Sequence, residues 1–202
     1  METAAHPRTL FKPRTLGMII VTSTSSASLR TGVVKTFRCR SQMIDWANSQ
    51  DLVAMLSAIP DGSHEPELRL FCADCAARGL RFLTEPVFSN ALDCSRRFAT
   101  GAANATDLQS LVDAACALIP EHIDVPTVRE LAASAVIDAS SVSPTSKSKI
   151  DCVVSCAAQA VAQFHAESVA DVDFDATFET EHQAETRIQC KYLRDRIPSL
   201  NV

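Results

Sequence analysis

The sequence predicts an all-α protein, an irregular bundle of six or seven helices behind a disordered N-terminal tail. Hydrophobic residues make up 47% of the chain, enough for a core, whereas aromatic residues make up 5% and there are only five glycines. A core rich in Ala, Leu and Val favours helices, because alanine is the best helix former and strands prefer β-branched and aromatic residues. After residue 43, apolar residues also recur at alternating steps of three and four, the period of one helix face.

Residues 1–42 differ from the rest of the chain in charge and pattern. They hold seven Lys and Arg residues and one acid, a net charge of +6, which leaves −11 for residues 43–202 of a chain whose total is −5. We interpret them as a disordered basic extension, with Met43 as a candidate start of the natural protein. Their short apolar run and lack of acids leave a secretory signal or an organellar transit peptide as alternatives.

Three helices are predicted up to Gly101. The first, Asp51 to Ile59, carries an apolar stripe and ends at a Pro-Asp-Gly-Ser breaker. The second begins near Pro66, since proline followed by an acid suits a first turn, and its apolar face continues to Leu83. The third has apolar residues on one side and stops at Gly101, because glycine readily ends a helix.

Two further helices are predicted between Asn104 and the Ser-rich loop that starts at Ser140. Asn104 or Thr106 can cap the fourth, since short polar side chains accept hydrogen bonds from free backbone N–H groups. Pro126 opens the fifth, because proline has no N–H to leave unpaired at a first helical position.

The last two helices differ in polarity. The sixth, Lys149 to about Val169, is apolar nearly all round, which is typical of a central helix. The seventh, about Ala176 to Ile197, is amphipathic and heavily charged. Together the segments predict a helical bundle with short connections.

The cysteines leave two interpretations open. Cys72 and Cys75 form a C-x-x-C pair, which is half of a zinc site or a redox pair, and Cys152 and Cys156 lie one helical turn apart and could supply the other half. However, Cys72 and Cys75 fall on an apolar stripe, where a free cysteine acts as a small hydrophobic residue. We therefore predict buried free thiols in a cytoplasmic protein without a cofactor. A zinc or redox site at these four residues is the alternative.

Two acidic clusters support metal chemistry less well. Asp171–Asp175 resembles the start of a calcium loop, but Ala176 and His182 stand where that loop needs glycine and glutamate. The last helix also carries an acid–histidine cluster without the H-E-x-x-H spacing, which we interpret as a solvated helix face: Glu179, Glu181, His182 and Glu185. The sequence has no nucleophile elbow, phosphate loop or dinucleotide fingerprint, so we lean against an enzyme.

Four segments in order resemble those of a known family: Trp46–Leu56, Leu68–Cys75, Ala91–Gly101 and Tyr192–Ile197. The chain resembles an uncharacterised paralogous family of short helical proteins that is expanded in planctomycete-type bacterial genomes. The resemblance spans about residues 43 to 197 and implies a bacterial helical protein that begins at Met43. It departs from the family in the C-A-D-C segment, where a third cysteine is common, and it implies no activity.

From these observations we predict a non-enzymatic protein-interaction domain whose partner is another protein. The acidic body argues against nucleic acid, since phosphates would be repelled, and no run approaches the roughly 20 apolar residues of a membrane span. This hypothesis predicts a contiguous exposed apolar patch on one pair of helices. The zinc or redox alternative predicts that the sulfurs of Cys72, Cys75, Cys152 and Cys156 converge on one point.

Overall fold

The computed structural model describes residues 44–120, 125–169 and 173–200. Within these ranges it holds seven α-helices and no β-strand, which confirms the predicted all-α bundle. The helices are α1 (Leu52–Ala58), α2 (Glu65–Ala77), α3 (Pro86–Ala99), α4 (Ala105–Cys116), α5 (Val128–Ser140), α6 (Lys147–Ser168) and α7 (Phe174–Arg196). None of these helices combines the length and hydrophobicity needed to cross a membrane. The tail predicted over residues 1–42 lies outside the described residues.

Polar side chains fix where several helices begin. Asp51, Asn104 and Thr127 each accept a hydrogen bond from a backbone N–H three residues on, which satisfies a donor that the first turn leaves free. Glu130 reaches back to the Thr127 N–H and completes a capping box. The prediction that Pro126 opens α5 was therefore wrong by two residues, because Thr127 is the cap and the proline precedes it.

The second helix ends earlier than its apolar pattern predicts. Instead of continuing to Leu83, α2 stops at Ala77 and is followed by a short 3₁₀ turn, Leu80–Phe82. Gly79 lies between them, at a point where a Cβ atom would stand 2.9 Å from the Cβ of Ala132 on α5. The chain bends here so that α2 can approach α5 closely, and apolar spacing alone cannot show such a bend.

The core lies around α2, which packs against α3, α5, α6 and α7. In turn, α6 packs against α5 on one side and α7 on the other. Phe71 and Phe88 are fully buried, but most of the remaining core residues are alanine, valine, leucine and cysteine. Small side chains allow helix axes to approach closely, so the alanine-rich composition is expressed as close helix packing.

A buried arginine joins three helices. Arg69 of α2 donates hydrogen bonds to the carbonyl oxygens of Ser141 (2.9 Å) and Val142 (2.6 Å), just beyond the end of α5. Its guanidinium also lies 4.6 Å from the ring centre of Phe98 on α3. Burial lowers the pKa of Arg69, but the group stays charged because an arginine pKa starts above 12. Its charge complements the partial negative charge at the end of α5.

The segment before α1 is fastened to the end of α7. The Trp46 indole Nε1 donates to the Ile197 carbonyl at 2.9 Å, and the Arg194 guanidinium donates to the Ser49 carbonyl at 2.6 Å. These bonds join residues that are 151 and 145 positions apart in sequence. The C-terminal half of α7 is thereby held on the bundle.

Candidate functional site

The C-x-x-C cysteines lie in the core, as the interpretation of these residues as buried free thiols predicts. Cys72 and Cys75 are fully buried on α2. Burial raises the pKa of the Cys72 thiol to about 12 and the pKa of Cys75 well above its usual value. Since the thiolate is the form that attacks electrophiles and binds metals, burial disfavours both reactions at these two cysteines.

The other two cysteines form a close, half-buried pair on α6. Cys152 and Cys156 are half-buried, and their sulfur atoms are 3.9 Å apart. The hydrogen bond between the two thiols raises the pKa of Cys152 and lowers the pKa of Cys156. Burial and the Asp138 carboxylate on α5 raise the pKa of Cys152 further. The two sulfurs therefore share one hydrogen bond, in which either thiol can be the donor.

The four sulfurs do not converge. Across residues 44–120, 125–169 and 173–200, no three His, Cys, Asp or Glu side chains are grouped so that they could hold a metal ion. Cys72 and Cys75 lie on α2 and are buried in the core of the bundle, whereas Cys152 and Cys156 lie together on α6. The structure brings together one pair of cysteines rather than a set of four. The alternative of zinc or redox chemistry stays a prediction.

The first turns of α7 carry an exposed aromatic stripe. Phe174, Phe178 and His182 are spaced four residues apart, and successive rings stack with centres 6.1 and 5.9 Å apart. Phe174 is 44% exposed, and no residue from Phe174 to Ala184 is buried. Residues four apart share one helix face, so the stripe is continuous. None of the three is among the buried residues of the core in the described part of the chain.

A second aromatic group lies at the end of α6. The rings of Phe82 and Phe164 are 4.9 Å apart, and the edge of Phe164 meets His165 at 5.7 Å. The Arg81 guanidinium lies over both phenylalanine rings, at 4.7 and 5.5 Å from their centres. Phe164 itself is 41% exposed. A cation over aromatic faces is attracted by their negative potential, so Arg81 holds this group together.

Both groups belong to one end of the α6–α7 hairpin. Helix α6 ends at Ser168 and α7 begins at Phe174, so the last turns of one and the first turns of the other lie at the same end. Val169, in the connection, is 42% exposed. We call this region the aromatic end and define it by Phe82, Phe164, His165, Val169, Phe174, Phe178 and His182. The contiguous exposed apolar patch that the interaction hypothesis expects stays a prediction, and the aromatic end is our candidate for it.

The surroundings of the aromatic end are acidic. The sequence has no Lys or Arg between Lys149 and Arg187. From Glu167 to Arg187, the described residues carry five carboxylates that are exposed or half-exposed: Glu167, Asp173, Asp175, Glu179 and Glu181. Apart from Arg81, the charged groups close in sequence to the aromatic residues are therefore negative.

The neighbouring cleft between α2 and α7 has paired charges. It is open, with a volume of about 650 Å³. Arg78 donates to both carboxylate oxygens of the buried Glu185, at distances from 2.7 to 3.2 Å, and this contact raises the pKa of Arg78. Arg196 is bound to Asp74 at 2.6 Å. These ion pairs connect α2 to α7. Because the guanidinium groups of Arg78 and Arg196 are already paired with carboxylates, the cleft is a poor site for an anion.

The acid–histidine cluster of α7 separates into different roles. Glu185 is buried against Arg78, so the interpretation of this face as solvated was wrong at that residue. His182 belongs to the aromatic stripe, and Glu179 accepts a hydrogen bond from Gln183. Of the calcium-like segment, Asp173 caps α7, while Asp171 lies outside the described residues.

Sequence reasoning missed Phe174 and Phe178 as surface residues. The seventh helix was expected to begin near Ala176, which left Phe174 in the preceding loop. The signal was present in the spacing of Phe174, Phe178 and His182, which is that of one helix face. That spacing is equally typical of core residues, so only the structure could show that the face is exposed.

Comparisons with known proteins add no relative. No family model matches the chain, and no curated protein and no solved structure matches it. The resemblance to a bacterial family of short helical proteins therefore stays a prediction. Any function rests on the residues and geometry described above.

Proposed function

We propose that this protein is a non-enzymatic interaction domain, and that its aromatic end binds a basic amphipathic helix of a partner protein. The observation that carries the proposal is the stripe of the exposed Phe174 and the half-exposed Phe178 and His182, which continues a face that is buried further along α7. The free thiols of the described cysteines support a cytoplasmic location for this interaction, since disulfides are rare in that compartment.

The apolar part of the surface favours a helix as the occupant. Phe164 on α6 and Phe174 on α7 flank the same end of a helical hairpin, and both are more than 40% exposed. An amphipathic helix can lay its apolar face across two such helices, in the way that the helices of the bundle pack on one another. Aromatic residues also dominate the energetic centres of protein interfaces.

The charge favours a basic occupant. The carboxylates of Glu167, Asp173 and Asp175 surround the aromatic residues in sequence, and the long stretch from residue 150 to residue 186 has no Lys or Arg. Charge complementarity steers a basic segment to such a surface and repels the phosphates of nucleic acid. Arginine side chains of the partner can also stack on exposed phenylalanine faces.

The test uses the full chain and three synthetic peptides of equal length. The first is a basic amphipathic helix, the second has its Lys and Arg replaced by Glu, and the third is a scrambled version of the first with no apolar face. Fluorescence anisotropy at low and high salt measures binding. We expect the first peptide to bind, less tightly at high salt because exposed charges are screened, and the other two to bind at least about tenfold more weakly.

Two matched variants locate the binding surface. Phe174→Ser combined with Phe178→Ser should weaken binding of the basic amphipathic peptide at least about tenfold, because aromatic anchors carry most of the binding energy. Val53→Ser removes an apolar side chain that is 71% exposed on α1 and should change nothing. Equal binding of the scrambled peptide, or an equal loss in the Val53 variant, would overturn the proposal.

A further inference from the structure

The half-buried thiols of α6 have a geometry that the interaction proposal does not use. Cys152 and Cys156 are one helical turn apart, and their sulfur atoms are separated by 3.9 Å. Both side chains keep partial access to solvent, whereas Cys72, Cys75, Cys94 and Cys190 are buried. This pair of described cysteines therefore combines a sulfur–sulfur contact with partial access to solvent.

This geometry does not suit a disulfide. A disulfide needs its Cβ atoms about 3.5–4.5 Å apart. Residues four apart on a helix have Cβ atoms about 5–6 Å apart. Cys152 and Cys156 lie well inside α6, so closing the bond would distort the helix at its contact with α5. Oxidation within the pair is therefore opposed by the packing of the bundle.

The same geometry suits two thiolates on one metal ion. Two metal–sulfur bonds of about 2.3 Å at a tetrahedral angle place the sulfur atoms about 3.8 Å apart. The observed separation of 3.9 Å matches this value without any movement of the helix. An ion bound to both sulfurs would lie to one side of the line that joins them and would replace the thiol protons.

The environment also favours a cation. The Asp138 carboxylate of α5 lies against Cys152 and adds negative charge beside the pair. Cys156 packs against a buried apolar cluster that consists of Leu131, Ala132 and Ala160. Apolar surroundings on one side of a site limit water and strengthen the attraction between thiolates and a cation.

We propose that Cys152 and Cys156 form a two-thiolate site for a thiophilic divalent cation of tetrahedral preference, such as Zn²⁺. On binding, the two S–H bonds break, two metal–sulfur bonds form, and the protons pass to solvent. Water or a group from another molecule completes the coordination. The site is independent of the aromatic end and requires neither Cys72 nor Cys75.

The experiment is a titration of the full chain with Cd²⁺, which forms strongly absorbing bonds to thiolates in the ultraviolet. The protein carries Cys39→Ser and Cys116→Ser, so that the cysteine outside the described residues and the exposed thiol of α4 do not contribute. We expect one equivalent of Cd²⁺ to produce the thiolate absorption and Zn²⁺ to compete for it. Circular dichroism of each variant confirms that the helices are intact.

Single substitutions decide the assignment. Cys152→Ser and Cys156→Ser should each weaken Cd²⁺ binding at least about tenfold, because a chelate loses its effective concentration when one arm is removed. Cys94→Ala, at a fully buried thiol, should leave the titration unchanged. The proposal is overturned if the parent protein shows no thiolate absorption, or if the absorption persists in both serine variants.

Discussion

One face of α7 is exposed or half-exposed in the first half of the helix and buried in the second half. In the first half the stripe consists of Phe174, Phe178 and His182, and it is exposed or half-exposed. In the second half the same face continues through Glu185, Gln189 and Leu193, all buried. Exposed phenylalanine and buried glutamate reverse the usual preference of these residue types for interior and surface.

The reversal follows from what each half packs against. The second half contacts α2, where Arg78 neutralises Glu185, and α6, where the Val154 carbonyl accepts a 2.9 Å hydrogen bond from Gln189. Each buried polar group therefore has a partner, as burial requires. The first half has no buried residue between Phe174 and Ala184. The buried contacts of α7 are thus concentrated in one half, and the proposed recognition surface lies in the other.

Removing the partner of the buried carboxylate should have the largest effect. In Arg78→Ala, Glu185 keeps a side chain that is only 1% exposed but loses its counter-charge. Breaking a buried ion pair in this way costs about 3–5 kcal/mol, and the partial exposure of Arg78 places our expectation near the lower value. Urea unfolding of the full chain measures the change in the free energy of unfolding.

Two further proteins show whether that loss comes from the unpaired charge. Arg187→Ala removes an exposed arginine of α7 and should change stability by less than about 0.5 kcal/mol. Replacing both partners by apolar residues, Arg78→Met with Glu185→Leu, should restore much of the loss. A double variant as unstable as Arg78→Ala would instead indicate that packing, and not charge, dominates at this position.

Gln189 and Gln183 lie six residues apart on α7, and they allow its buried and exposed halves to be compared without a change of charge. Gln189→Ala should lower the free energy of unfolding by about 2 kcal/mol, because a buried side chain and its hydrogen bond to the Val154 carbonyl are lost. Gln183→Ala removes an exposed side chain bonded to Glu179 and should cost less than about 0.5 kcal/mol. Thermal or urea unfolding of both variants provides the values, and similar losses would remove the distinction between the two halves.

The core around α2 should also be sensitive to alkaline pH. Burial raises the pKa of Cys72 to about 12, whereas an unfolded thiol ionises near 8.5. Ionisation then favours the unfolded chain, so this contribution is complete below pH 8.5 and is lost progressively as the pH rises toward 12. At pH 10 the expected loss is about 1–2 kcal/mol.

Unfolding by urea at pH 8 and pH 10 measures this dependence. Cys72→Ala should show a shallower decline over the same interval, even if its stability at pH 8 is lower, because the ionising group is gone. An unchanged slope would mean that Cys72 ionises with a similar pKa in the folded and unfolded chains.

Local patterns predicted most of the fold, and long-range contacts account for what they missed. The α4 cap and the stop at Gly101 depend on a few neighbouring residues, and Gly101 was predicted while Asn104 was one of the two predicted caps. The pairing of Arg78 with Glu185 spans 107 positions in sequence, so no local pattern could show it. Similarly, the one-turn spacing of Cys152 and Cys156 was predictable, but their separation from Cys72 and Cys75 depends on how α2 and α6 pack.

The exposure of the aromatic end could not be predicted for a related reason. Phe174, Phe178 and Leu193 all have spacings that suit a core face, and a helical pattern does not show where the partner helices end. The resemblance to a family without an assigned activity gave no help with a surface of this kind. The candidate site therefore became visible only when exposure was known for each residue.

The smallest expected effect tests the exposed half most directly. Phe174→Ala should change the free energy of unfolding by less than about 0.5 kcal/mol, since the ring is 44% exposed and stacks only on Phe178 among the described aromatic residues. Leu193→Ala, on the same face in the buried half, should cost about 2–5 kcal/mol because it leaves a cavity. If Phe174→Ala destabilises the chain as much as Leu193→Ala, the first half of α7 is part of the core and the aromatic end is not available to a partner. If it leaves stability intact while peptide binding falls, an exposed phenylalanine is retained at no benefit to the fold, which is the expected property of a recognition residue.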